Sequence, residues 1–178
     1  IKKKKADAGI MISASHNPAH DNGIKIFAAN GYKLPDEVEL ELEALIDNFP
    51  NLNNELVAGD KTGKYRFSEN DYFLYRDYLL STVKGDLSGM KIILDVGNGA
   101  AYRIAKGVFA KLGAEIVVIN DVPSGTNINV NCGSTHPEIL AKVVIGYNAD
   151  FGLAYDGDAD RLIAVDGKGN IVDGDKII

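Results

Sequence analysis

Between residues 91 and 155 the chain alternates short apolar runs with stretches of helical periodicity, and that alternation limits the fold more than any other feature. Residues 91–96, 115–120 and 150–155 read as strands. Residues 100–112 and 137–147 read as helices, the second opened by a capping box of Thr135 and Glu138. Residues 162–165 and 171–172 read as a hairpin around Gly167, Lys168 and Gly169. Strands separated by helices predict a mainly parallel α/β sheet, whose ligands sit at the carboxyl ends of its strands.

The preceding part has a different grain. Residues 9–13 read as a buried strand and residues 24–27 as a second, with Asn30-Gly31 as a turn before residues 32–34. Pro35 opens a helix that sets Val38, Leu42, Leu45, Ile46 and Phe49 on one face. The polar stretch 50–63 is the expected linker. Asn70 or Ser68 is the expected cap of a helix running to Val83, with Gly85 near its end.

Composition narrows the functional classes. Nineteen Lys and Arg against 25 Asp and Glu give a net charge of −6, which argues against a broad nucleic-acid surface. Lys2 to Lys5 read more simply as a solvated helix end than as a basic patch. No apolar run approaches the roughly 20 residues of a membrane span. Cys132 is the only cysteine, so no intrachain disulfide forms and a reducing, cytoplasmic compartment is expected. The chain begins on Ile without an initiator Met, as an internal cut would.

Two strand ends carry chemistry. At the first, an apolar run ends on Ser-Ala-Ser-His-Asn-Pro, residues 13–18. Ser15 is either a hydroxyl presented at the mouth of a sheet or part of a turn formed with Ser13 and Asn17. The glycines of a hydrolase elbow are absent, and on the residues alone the turn is the simpler reading. At the second, Tyr155 is followed by Asp156, Asp158 and Asp160, then Arg161. Carboxylates in such close array suit a hard divalent cation such as Mg²⁺, and equally a solvated turn. An EF-hand loop is excluded, because Arg161 stands where its glycine is needed and Gly167 where its glutamate is needed. The glycines of residues 95–100 suggest a tight turn more than a phosphate cradle, and His136 reads as a neighbour of a helix cap.

Together, "SASHNP" and "DGDADR" resemble the phosphoserine loop and the metal loop of the α-D-phosphohexomutases. "NINVNCGSTHPE", "GIKIF…GYKL" and "VDGDKII" are similar to the branch that acts on glucosamine phosphate. The resemblance implies two α/β domains of a four-domain enzyme. Residues 1–67 would be the later part of the first, incomplete here, and residues 68–178 would be the whole of the second. It further implies that Ser15 carries a phosphoryl group. Asp156, Asp158 and Asp160 would hold one Mg²⁺ with a phosphoserine oxygen. Arg161 and His16 would flank the phosphoryl site, and Lys25 would transfer a proton or stabilise charge. The implied reaction interconverts hexosamine 6- and 1-phosphates through a 1,6-bisphosphate, and sister specificities for mannose or glucose phosphate stay open, as does a metal- or phosphosugar-binding module without turnover. The implied partner is a phosphosugar, with neither nucleic acid nor membrane, and the longer enzyme could pair as a homodimer. The spacing from Ser15 to Asp156 implies successive domains. The chain alone is expected to be inactive, because substrate-holding groups belong to the other domains. Ala159 stands where a glycine is common in the family.

Overall fold

The computed structural model describes residues 1–49, 57 and 59–178. Most of the expected linker, residues 50–56 and 58, lies outside the described residues. The chain divides into two compact units, Ile1–Ile12 with Ile24–Ser68, and Ser13–Gly23 with Glu69–Ile178.

In the first unit, β1 (Ala8–Ile12) and β2 (Ile24–Ala28) form an antiparallel pair, with Gly9 opposite Phe27 and Met11 opposite Lys25. The Asn30-Gly31 turn returns the chain to β2, where Phe27 bridges Lys33. Pro35 precedes α1 (Asp36–Asp47), whose first turn carries Asp36, Glu37 and Glu39, favourably placed against the helix dipole. Lys2–Lys4 make one exposed 3₁₀ turn, with the Lys2 ammonium over the Tyr32 ring.

Two expectations fail here. The first strand is not buried: Ile10 and Ile12 are exposed, Ile12 at 75%. The apolar stripe of α1 has the expected period, yet Leu45, Ile46 and Phe49 are exposed. The reason is shared. A two-stranded sheet has little surface with which to cover a helix, and the described residues of this unit supply no further layer.

The second unit is built around a mixed sheet of order β4-β3-β5-β6-β7. Its strands are β3 (Lys91–Asp95), β4 (Glu115–Ile119), β5 (Phe151–Tyr155), β6 (Leu162–Asp166) and β7 (Ile171–Val172). β4 and β5 both pair parallel with β3, while β6 and β7 continue antiparallel. Its helices are α2 (Asp71–Thr82), α3 (Ala101–Lys111), α4 (Pro137–Gly146) and the short α5 (Gly174–Ile177). Consecutive residues of β3 point to opposite faces, as strand geometry requires. Ile92 and Leu94 pack with Ala101 and Ala105 of α3, and Ile93 packs with Leu140 and Val144 of α4. Burial on both faces explains the unbroken apolar run of β3.

The capping box does not form. His136 occupies the N-cap of α4, Thr135 donates to the Cys132 carbonyl, and the Glu138 carboxylate meets His136 Nδ1 at 3.2 Å. A tight turn through Gly133 to Thr135 takes Thr135 out of capping position. No helix among the described residues is long and apolar enough to cross a membrane.

Candidate active site

Strand order reverses about β3, so the crevice between the carboxyl ends of β3 and β5 is a topological switch point, where ligands of open α/β sheets bind. The turn after β3 and the aspartate loop after β5 meet there at backbone contact. The Ala100 amide donates to the Gly157 carbonyl at 2.8 Å, and a Cβ on Gly99 would lie 2.4 Å from that same oxygen. The glycines of residues 95–100 thus serve a tight turn against the aspartate loop.

Asp156, Asp158 and Asp160 each offer an oxygen to one cluster, with all ligand atoms within 4.8 Å of one another. Asp156 is fully buried and Asp160 exposed. Partial desolvation, then the charges of Asp156 and Asp158, push the Asp160 carboxyl above its ordinary value. Arg161 lies against this charge: its Nε is 3.3 Å from Asp156 and 3.9 Å from Asp160, and its backbone amide donates to Asp156 at 3.2 Å. The Arg161 guanidinium also donates to Nδ1 of His16. One guanidinium against three carboxylates leaves an excess of negative charge, and the donors are all hard oxygens. That set fits a divalent cation of the Mg²⁺ type.

The Ser15 hydroxyl reaches the same cluster, 3.3 Å from Asp156 and 3.2 Å from Asp158. Its loop, Ser13–Gly23, packs with the second compact unit. The bonds explain this: the loop is fastened to the aspartates and to Asn129. Lys25 sits on β2 in the first unit. Ser15, His16, Arg161 and the three aspartates are therefore brought together, and Lys25 belongs to the other unit.

Three residues escaped the sequence reading as contributors. Ser13 acts as a turn residue, its hydroxyl accepting from the Ser15 amide at 3.0 Å, and it also donates to Asp158 at 3.3 Å. Asp95, fully buried, accepts from the Gly97 amide, the Gly133 amide and the Asn120 carboxamide at 2.9–3.0 Å. Asn129 donates to the Ser15 and Asn17 carbonyls at 3.1 and 3.3 Å. The alternating asparagines 127, 129 and 131 were the available signal, since asparagine tolerates the left-handed backbone that Asn129 and Asn131 adopt.

Residues 1–52 match α/β/α domain I of the phosphoglucomutases and phosphomannomutases, and residues 74–169 match α/β/α domain II. The chain belongs to this family. Within it, the chain is 64% identical over 177 residues to a phosphoglucosamine mutase of Fusobacterium nucleatum, covering 99% of this chain and 39% of that protein. A phosphoglucosamine mutase of Clostridioides difficile is 52% identical over 177 residues, with the same coverage. The chain thus spans about two fifths of the length of these curated relatives. Among solved structures, a phosphoglucomutase/phosphomannomutase family protein of Burkholderia thailandensis superposes with a TM-score of 0.71 at 27% identity, over 94% of this chain and 35% of that one.

Proposed function

We propose that this chain carries the phosphoserine and metal loops of a phosphoglucosamine mutase, which interconverts glucosamine 6-phosphate and glucosamine 1-phosphate. The observation that carries the reading is the placement of the Ser15 hydroxyl within 3.2–3.3 Å of two loop aspartates more than 140 residues away in sequence. A serine so placed suits a phosphoryl carrier. In the first half-reaction the bond from phosphorus to Ser15 Oγ breaks and one to sugar O1 forms, the O1 proton passing to Ser15 Oγ, giving the 1,6-bisphosphate. In the second, the bond from phosphorus to O6 breaks, the 6-phosphoryl group returns to Ser15 Oγ, the Ser15 proton passes to O6, and glucosamine 1-phosphate leaves.

Asp156, Asp158 and Asp160 would hold Mg²⁺, which when bound would neutralise charge on the phosphoryl oxygens. Arg161 adds a fixed guanidinium beside the cluster and holds His16 through its Nδ1. Lys25 takes the role of proton-transfer or charge-stabilising group by its match to the family's motif. The same reading takes the protein as cytoplasmic, feeding amino-sugar synthesis for the cell wall. Identity to named phosphoglucosamine mutases along 99% of this chain supports the glucosamine branch over mannose or glucose phosphate.

The test is intact-mass measurement of the full-length protein after exposure to glucosamine 1,6-bisphosphate. A gain of about 80 Da, one phosphoryl unit, is expected in the wild type and not in Ser15→Ala. No gain in the wild type would favour a phosphosugar-binding module without turnover. Faster turnover of mannose or glucose phosphate than of glucosamine phosphate would overturn the branch assignment.

A further inference from the structure

Asn129 lies outside both matched loops, yet it joins three pieces of the site. It is 8% exposed and holds a left-handed backbone at φ 59°. Its amide donates to the Gly97 carbonyl at 3.0 Å, fixing it to the turn after β3. Its carboxamide nitrogen donates to the carbonyls of Ser15 and Asn17. That nitrogen would lie 2.8 Å from a Cβ on Gly157, so it also packs on the aspartate loop. Its Oδ1 is buried without a hydrogen-bond partner among the described residues. Turning the carboxamide over would set Oδ1 against two carbonyl oxygens, so the observed orientation is the one these acceptors demand. A buried carboxamide oxygen left without a partner among the described residues is poorly optimised for stability, and such groups call for a functional explanation.

We propose that Asn129 is a positioning residue for phosphoryl transfer: by gripping the Ser15 and Asn17 carbonyls it fixes the direction in which the Ser15 hydroxyl meets the aspartates. The inference rests on the reading of Ser15 as the phosphoryl carrier. Asn129 acts on the backbone of the loop and contacts no reacting atom. Losing the grip lets the loop rotate and spoils alignment, which affects transfer more than substrate binding.

Two variants test this in the full-length protein. Asn129→Gly keeps the left-handed backbone and removes the carboxamide. Asn129→Asp keeps the shape and replaces the donor with an oxygen facing two carbonyls. Both are compared with wild type and Ser15→Ala for the rate of phosphoryl gain from glucosamine 1,6-bisphosphate, for steady-state turnover and for amide exchange. We expect both to fold and to lose about 10- to 100-fold in phosphoryl gain and kcat, the scale seen when outer supports of a site are removed. KM should stay within about twofold, the signature of an interaction expressed in the transition state. Amide exchange should accelerate in residues 13–19 and stay unchanged in β3 and β5. Folded variants that gain phosphoryl at the wild-type rate would overturn the inference while leaving the function intact. Failure of both to fold would overturn it by making Asn129 a structural residue. A wild type that gains no phosphoryl group would overturn this inference and the functional reading together.

Discussion

Ser15 and Ala159 both hold left-handed backbones, at φ 55° and φ 62°. An L-residue with a Cβ is strained there by roughly 1–2 kcal/mol. Ala159→Gly removes that strain but frees the unfolded chain, so a net stabilisation of up to about 1 kcal/mol is expected in urea unfolding. Gly157 presents the opposite case. A Cβ there would stand 2.3 Å from the Ser15 carbonyl oxygen and 2.8 Å from the Asn129 carboxamide. Gly157→Ala should therefore push the serine loop off the aspartate loop and abolish phosphoryl gain at Ser15, while β3 and its core keep their exchange protection. Asp158→Asn removes one anionic oxygen from the cluster without touching the core. Calorimetry should show weaker Mg²⁺ binding with little change in melting temperature, and unchanged affinity would count against these carboxylates as the cation site.

At the scale of elements, the run from β3 to β5 was legible because burial on both sheet faces leaves a long apolar signature, as in Ile92, Ile93 and Leu94. Leu140 of α4 is fully buried in that core, and Leu140→Ala is expected to cost about 3 kcal/mol in denaturant unfolding. Caps and hubs were less legible. Thr135 and Glu138 have capping-box spacing, yet Thr135 turned to the Cys132 carbonyl because the chain tightens at Gly133, whose amide Asp95 holds across 38 residues. The meeting of Ser15 with Asp156 spans 141 residues, and no local pattern encodes it, so only the paired motifs pointed there. The β6–β7 hairpin was legible from its glycines, but not the acid that closes it. Asp166 accepts from the Lys168 and Asn170 amides and the Asn170 carboxamide at 2.8–2.9 Å. The bonds to Asn170, followed by Lys168, hold its carboxyl below the ordinary 3.8. A carboxyl lowered by folding stabilises the native state above its unfolded value and loses that contribution as pH falls through its folded one. The melting difference between wild type and Asp166→Ala should therefore hold at neutral pH and shrink below pH 3.8. A difference independent of pH would show that the carboxylate charge is immaterial.

For the whole molecule, the chain covers 39% of its curated relatives, and the groups that would hold a sugar in line with Ser15 are expected on the remainder. A coupled mutase assay on these 178 residues should show no turnover. Cys132 gives a reporter for the second unit. It is fully buried, and burial, then the neighbouring Asp95 charge, pushes its thiol up to about 11. At about pH 8 the thiolate fraction is minute, so alkylation should be negligible in the native protein and rapid in urea. The bare face of the first unit carries a practical consequence. Ile10, Ile12 and Ile24 project from a two-stranded ribbon whose β1 edge pairs with no further strand among the described residues, and such edges recruit further strands. Purified alone, the chain should scatter more light as it is concentrated, and Ile12→Lys should keep it clear.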